Sequence, residues 1–305
     1  MRILFMGTPD FAVVSLRALT EAGHEICGVF TKPDRPKNRG MKLTFSPVKE
    51  YAVTQNLSVF QPSDFSGGAC TQTIRELAPE LIVVVAYGKL LPQDVLELPR
   101  YGAVNVHASL LPKYRGAAPI NWAILNGEHE TGVSIMDVVK RLDAGAVIRA
   151  ARTPIGPEES APELWDRLAE LGARTLLETI PALTDGTAVR TPQDESRMTY
   201  APMLSRELSP IDWAGESGRI HNQVRGLLPW PCASAVLDGR TCKIYKTAPG
   251  GSSGGAQPGK ILSAGRDGIE VACGDGRSLR ILELQAQGGR RMDAASYLCG
   301  HPIQI

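Results

Sequence analysis

No two cysteines in this chain are spaced as Cys-x-x-Cys, and the six present, at 27, 70, 232, 242, 273 and 299, show no metal-ligand spacing. Disulfide-stapled secreted domains are shorter and denser in cysteine. The six are therefore expected to be reduced, mostly core thiols in a cytoplasmic protein with no metal. Long hydrophobic runs are also missing. The longest strongly apolar stretch, Leu81 to Ala86, is far short of the roughly 20 residues that span a bilayer. The amino-terminal Met1-Arg-Ile-Leu-Phe-Met6 turns into Gly7-Thr-Pro9 after too few apolar residues for a signal peptide. Nor is there an excess of one charge. A net charge of +1 over 305 residues excludes a wholesale nucleic-acid coat. A Gly-x-Gly-x-x-Gly turn is absent after the first strand. Only Gly7 is present, and Pro9 removes an amide that a pyrophosphate would need, so an NAD site is disfavoured. Gly7 and Asp10 are better explained as serving the tight turn and the helix start. No internal repeat is found, and no Ser or Cys lies in a usual nucleophile motif.

What is present is long enough for two domains, with 43% apolar and 21% charged residues, ordinary values for a globular chain. Lys and Arg number 21 against 23 acids in residues 1–205, and 12 against 9 in residues 206–305. The modestly basic tail permits a polyanionic partner without requiring one. Strand and helix patterns alternate through the first half. They include a strand at 3–6, a helix at 9–22, a strand at 25–30 and a continuous apolar strand at 81–86. Ser46-Pro47 reads as an N-cap followed by proline at the first helical position. This repetition predicts an α/β fold: a doubly wound, mostly parallel, Rossmann-like sheet over residues 1–188. Polar, proline-containing sequence at 189–207 reads as a linker. Beyond it, five short runs separated by Asp-Gly turns predict a smaller OB-like β-barrel over 208–305, with 249–255 as a flexible loop. Trp230, between two prolines, is expected to pack.

The chemistry concentrates in Ala103-Val-Asn-Val-His-Ala-Ser-Leu-Leu-Pro-Lys-Tyr-Arg-Gly-Ala-Ala-Pro119. Side chains alternate along a strand, so Asn105 and His107 share one face while Val104 and Val106 anchor the other. Both polar groups arrive at a strand's carboxyl end, where open α/β sheets bind ligands. Alone, such a pair also suits a satisfied polar closure of a loop. A third candidate, Asp143, sits in Leu142-Asp-Ala-Gly145. By itself it suits a turn-former bonded to its own backbone. Paired with His107, it would orient the imidazole and stabilise its charged form. An Asn/His/Asp set without a nucleophile points to group transfer directly between bound substrates. Losing an oxyanion donor costs about 100- to 1,000-fold in rate. Losing acid–base catalysis costs roughly 100- to 10,000-fold.

Asn105-Val-His through Pro119-Ile120, followed by Leu142-Asp-x-Gly145, resembles the formyltransferase family that uses 10-formyltetrahydrofolate. Gly7-Thr-Pro-Asp-Phe11, Phe30-Thr-Lys-Pro-Asp-Arg-Pro36, Ser46-Pro-Val-Lys49, Val85-Ala-Tyr-Gly88 and Pro229-Trp-Pro231 extend the likeness from end to end. The Pro-Asp-Arg-Pro loop and β-rich tail select the tRNA-acting branch. The resemblance implies a catalytic set of Asn105, His107 and Asp143. It further implies a folate-binding loop of Ser109, Leu110, Leu111 and Pro112, with the pterin against backbone near Tyr87, Gly88 and Leu90 and near residues 139–143. The implied co-substrate is 10-formyltetrahydrofolate. The implied acceptor is initiator methionyl-tRNA, whose formylated product serves translation initiation. The 32–42 loop packs five cations and one anion, and by the resemblance Arg35, Lys37, Arg39 and Lys42 would contact the tRNA. One departure is Ala146, where the family commonly has a second acid. A monomer is expected, without a membrane partner. The alternative reading is a folate-dependent formyl transfer to a nucleotide-linked amine.

Overall fold

The computed structural model describes residues 1–37 and 42–305, with backbone alone at 35–37 and 42. In chain order the elements begin with β1 (Arg2–Gly7), α1 (Asp10–Glu21), β2 (Glu25–Phe30), β3 (Arg35–Lys37), β4 (Lys42–Thr44) and α2 (Pro47–Thr54). They continue with β5 (Val59–Phe60), α3 (Ala69–Leu77), β6 (Leu81–Val85), α4 (Gln93–Leu96), β7 (Ala103–His107), β8 (Arg115–Gly116) and α5 (Pro119–Leu125). Next are β9 (Glu130–Asp137), β10 (Val147–Pro154), α6 (Ala161–Thr184), β11 (Tyr200–Ala201) and α7 (Ser217–Gly226). The chain ends with β12 (Ala233–Leu237), β13 (Arg240–Ser252), β14 (Ile261–Gly265), β15 (Gly268–Ala272), β16 (Arg277–Ala286), β17 (Met292–Asp293) and α8 (Ala294–Gly300). No helix among the described residues is long and apolar enough to cross a membrane.

Packing divides the chain into two compact units. The first comprises Met1–Gly116, Thr131–Thr153 and Trp165–Tyr200; the second, Ala117–Glu130, Pro154–Leu164 and Ala201–Ile305. The partition is discontinuous because α5 and the segment before α6 are fastened to α7. Asn121 Nδ2 donates to the Gly226 carbonyl at 2.7 Å, and buried Arg225 donates to the Gly156 and Glu159 carbonyls at 3.1 and 2.7 Å. Gly226 permits the close approach, since a Cβ there would lie 3.1 Å from Leu125 side-chain carbons.

The first unit is built on a seven-stranded sheet in the order β10-β9-β7-β6-β1-β2-β5. The pairs β1–β2, β1–β6, β2–β5 and β6–β7 are parallel, as the β-α alternation predicts. Strand β9 runs antiparallel to β7, so the sheet is mostly rather than wholly parallel. All of β6 is buried, the mark of a central strand covered on both faces. Helix α1 buries Phe11, Ala12, Ser15, Leu16 and Leu19, one stripe of a 3.6-residue period. Gly7 lets that helix approach: a Cβ would lie 2.7 Å from Ala12 Cβ and 2.8 Å from Phe5 Cε1. Helix α2 is capped as expected, the Ser46 hydroxyl accepting from Lys49 N at 3.1 Å. Leu4, Met6, Phe30, Ile74, Ile82 and Tyr87 centre one core cluster.

The second unit carries an antiparallel sheet with the path β12-β13-β16-β15-β14 and β17 added beside β16. Ile244, Ile269, Val271, Ile281, Leu284 and Tyr297 form its core. Two expectations are corrected here. Pro249 to Ser252 belong to β13 rather than to a loop, with Gly250 packed where a Cβ would overlap the Ser278 hydroxyl. Trp230 is 49% exposed, held out on its proline-flanked turn instead of packed.

Candidate active site

Strand β7 delivers Asn105 and His107 on one face, with Val106 on the other against α6. A Cβ at Gly172 of that helix would lie 2.8 Å from Val106 Cγ1. Asn105 is half-buried, and its side-chain amide has no hydrogen-bond partner among the described residues. His107 is only 6% exposed, and its Nε2 lies 2.9 Å from the Tyr114 carbonyl oxygen. A carbonyl only accepts, so Nε2 carries the proton and Nδ1 is left to exchange one. The Asp143 carboxylate oxygen Oδ2 stands 3.7 Å from that Nδ1.

Asp143 reaches this position through an unusual loop, residues 138–146. Its φ of 46° is left-handed, a region that aspartate tolerates better than most side chains. Gly145 allows the loop to fold back, because a Cβ there would overlap the Asp137 carbonyl oxygen. Asp137 N donates to the Ala146 carbonyl at 3.0 Å and closes the loop. Oδ2 of Asp143 also accepts from Gly116 N at 2.9 Å. One loop face thus touches the carboxylate while its neighbour Tyr114 holds the imidazole.

Several supporting residues escape a sequence reading. Gln193 Nε2 donates to the Asp143 and Gly145 carbonyls, both at 2.8 Å. Its Oε1 accepts from Arg115 Nε and Nη2 at 3.0 and 2.8 Å. Buried Arg115 also pairs with Glu195 at 2.8 Å, and Arg141 reaches the same carboxylate. The Arg115 hydrogen bond, then that from Arg141, lowers the Glu195 pKa below its ordinary value. Thr199 accepts from Tyr114 N through Oγ1 and from Arg115 N through its carbonyl, at 2.8 and 2.9 Å. Residues 191–199, part of the 189–207 stretch expected to be a linker, therefore brace both site loops. Arg115 lies within the resembling motif and is the one signal available. Gln193 carries none.

In the expected folate loop, the buried Ser109 hydroxyl donates to the Lys113 carbonyl at 2.7 Å and so serves the loop itself. Ser134 ties the same loop, its hydroxyl donating to Ser109 O at 2.8 Å and accepting from Leu111 N at 3.1 Å. Leu110, Leu111 and Pro112 are half-buried. Tyr87 is 1% exposed, its ring edge-on to Phe65 in the core, so only its backbone is offered to a ligand. Gly88 has φ 72° and lies under the Lys32 side chain. Leu90 is 66% exposed, an apolar side chain without cover. A cavity of about 520 Å3 lies against Gln93, Arg100, Ala103, Asp137, Val139 and Arg190. Burial raises the Asp137 carboxyl there, against the opposing pull of Arg190 at 3.0 Å. A second cavity, about 360 Å3, is lined by Thr8, Asp10, Lys32, Phe45 and Ser46 among others. Neither is lined by Asn105, His107 or Asp143.

Of the expected tRNA contacts, Arg39 lies outside the described residues. Arg35, Lys37 and Lys42 have backbone positions on a two-stranded antiparallel hairpin, β3 with β4, pairing Arg35 with Thr44 and Lys37 with Lys42. Among the described residues no group of three metal-ligating side chains occurs.

Residues 1–180 match a model described as formyl transferase, and residues 203–302 one described as formyl transferase, C-terminal domain. A methionyl-tRNA formyltransferase of Geobacter sulfurreducens is 49% identical over 304 residues, covering 100% of this chain and 95% of that protein. One from Caldanaerobacter subterraneus is 47% identical over 304 residues, with 99% and 98% covered. Among solved structures, an N-formyltransferase of Helicobacter canadensis in complex with folinic acid and dTDP-3-aminofucose superposes with TM-score 0.68 at 18% identity, covering 92% of this chain and 98% of that one. HypX of Aquifex aeolicus, crystallised with tetrahydrofolic acid, gives TM-score 0.64 at 20% identity over 98% of this chain, which spans 47% of that protein. These two show the fold alone. Two domain models and near-half identity along its full length put the chain in the methionyl-tRNA formyltransferase family.

Proposed function

We propose that the chain moves the formyl group of 10-formyltetrahydrofolate onto the α-amino group of initiator methionyl-tRNA. The amine lone pair attacks the formyl carbon and the carbonyl oxygen becomes negative. When that charge returns, the bond from carbon to folate nitrogen breaks, and the nitrogen leaves with a proton that the amine gives up. Asn105 Nδ2 donates to the oxygen as its charge develops. His107, protonated on Nε2 toward Tyr114, exchanges the moving proton through Nδ1. Asp143 holds the imidazole while it is charged, directly or through a water. An α-amino group titrates near pH ~8, so enough is free base at neutral pH that no strong base is needed.

The observation that carries this reading is the meeting of two stretches, the strand that bears both Asn105 and His107 and the loop that bears Asp143. His107 Nδ1 stands 3.7 Å from a carboxylate anchored on Gly116, and Asn105, two residues before it on the strand, has a side-chain amide without a partner among the described residues. Leu110, Leu111, Pro112 and the backbone at Tyr87, Gly88 and Leu90 form the folate side of the same proposal. On the acceptor side, Arg35, Lys37, Arg39 and Lys42 carry the tRNA phosphates, and basic side chains within 208–305 add further phosphate contacts. The protein works as a cytoplasmic monomer in this reading, with 189–207 joining its two parts. Transfer to a nucleotide-linked amine finds support only in fold likeness at 18% identity. The test supplies 10-formyltetrahydrofolate with charged initiator tRNA, charged elongator methionyl-tRNA or small amines. Fast formylation of the initiator is the expected result, and turnover of small amines alone overturns the proposal.

A further inference from the structure

The geometry points to Gln193 as a positioning residue that sets the Asp143 carboxylate against His107. This inference rests on the proposed role of Asp143. All four hydrogen-bonding positions of the Gln193 amide are used. Two Arg115 donors meet Oε1, at 3.0 and 2.8 Å, and Nε2 donates to two carbonyls, each at 2.8 Å. A flipped amide would press its NH2 against the guanidinium and its oxygen against two carbonyl oxygens, so chemistry alone fixes its orientation. The two carbonyls belong to Asp143 itself and to Gly145, where the loop folds back on Asp137. The guanidinium belongs to Arg115, between the residue that holds His107 and the residue that holds Asp143. Gln193 therefore links the loop bearing the carboxylate to the loop bearing the imidazole's anchor. Glu195 fixes the far side of Arg115 at 2.8 Å. The amide touches no reacting atom and acts only through where Asp143 stands.

A double-mutant cycle separates this role from general support of the fold. Gln193→Ala and Gln193→Glu are made in the native chain and in Asp143→Asn, and single-turnover formylation is measured alongside KM for folate and tRNA. Gln193→Glu keeps an acceptor for Arg115 but opposes oxygen to the two carbonyls. Displacing a reacting geometry by a fraction of an ångström is expected to lower kcat about 10-fold, with both KM values within about two-fold. In the Asp143→Asn background the further loss is expected to stay under about two-fold, because the group being positioned is already disabled. Equal losses in both backgrounds, a loss confined to KM, or no loss in the native chain would overturn the inference. Asp143→Asn retaining the full rate would instead remove the reading beneath it. Thermal unfolding accompanies each variant, and Gln193→Asn runs the same cycle if Gln193→Ala does not fold.

Discussion

His107 commits one ring nitrogen to a carbonyl 2.9 Å away and turns the other toward Asp143, so its tautomer is set by the chain itself. Asp143 is placed by a left-handed backbone at φ 46° and by a glycine two residues on. Gly145 is the more exacting of the two. Gly145→Ala inserts a methyl group into the Asp137 carbonyl, and the loop must move. A shift of about 1 Å at the carboxylate is expected to cost on the order of 100-fold in kcat, with folate and tRNA binding far less affected. Steady-state kinetics check this, and an unchanged kcat would show that the loop absorbs the methyl group without moving Asp143. Asn105, His107 and the Asp-x-Gly145 spacing were legible because strand alternation and glycine punctuation are local signals. Gln193 was not. It sits in Thr-Pro-Gln-Asp, where neither periodicity nor composition marks an amide that bonds residues 48 and 50 positions earlier.

At the scale of elements, the base of the 32–44 segment is tied to α2 and β5 by a compact polar cluster. Lys49 Nζ lies 2.5 Å from Asp34 Oδ2 and 2.8 Å from Gln61 Oε1, and Gln61 Nε2 donates to Asp34 Oδ1 at 2.8 Å. The Lys49 bond, then that from Gln61, lowers the Asp34 pKa below its ordinary value. A depressed carboxyl stabilises the fold above its unfolded pKa near 4, and that stability is lost as pH falls through the lower folded value. Asp34→Asn is expected to melt below the native chain at pH 7, with the gap closing as pH falls below about 4. Melting curves against pH measure it, and a gap independent of pH contradicts the assignment. Element existence was readable where hydropathy is periodic, as in α1 and β6. Strand direction was not, since nothing in β9 distinguishes antiparallel from parallel pairing to β7. The reach of β13 through Pro249 to Ser252 was hidden by Gly250 and Gly251, the first of which lets the strand lie close to β16. Helix α8 starts at the Asp293 cap and is only seven residues long, so its buried face, Ala294 and Tyr297, is too short to show a period.

For the molecule as a whole, near-zero net charge conceals an uneven distribution, with the surplus of cations in residues 206–305 and the dense 32–42 run. If these cations contact phosphates as proposed, RNA affinity falls with salt. Replacing Arg35, Lys37, Arg39 and Lys42 together by serine is expected to weaken tRNA binding and to flatten its salt slope by about one unit per lost contact. Folate KM is expected to stay unchanged. Binding titrations from low to moderate salt test this, and an unaltered slope would remove the loop from the RNA path. The partition into two units was only partly legible, because α5 and residues 154–164 join the carboxy-terminal unit through side-chain bonds of Asn121 and Arg225. The central claim is that an amide, an imidazole and a carboxylate act together on one carbonyl carbon. It is tested most directly by single-turnover formylation of charged initiator tRNA with Asn105→Ala, His107→Ala and Asp143→Ala, each shown to bind tRNA and folate normally. Each variant is predicted to lose at least about 100-fold in rate. Variants that bind both substrates and still formylate at the native rate would contradict the account.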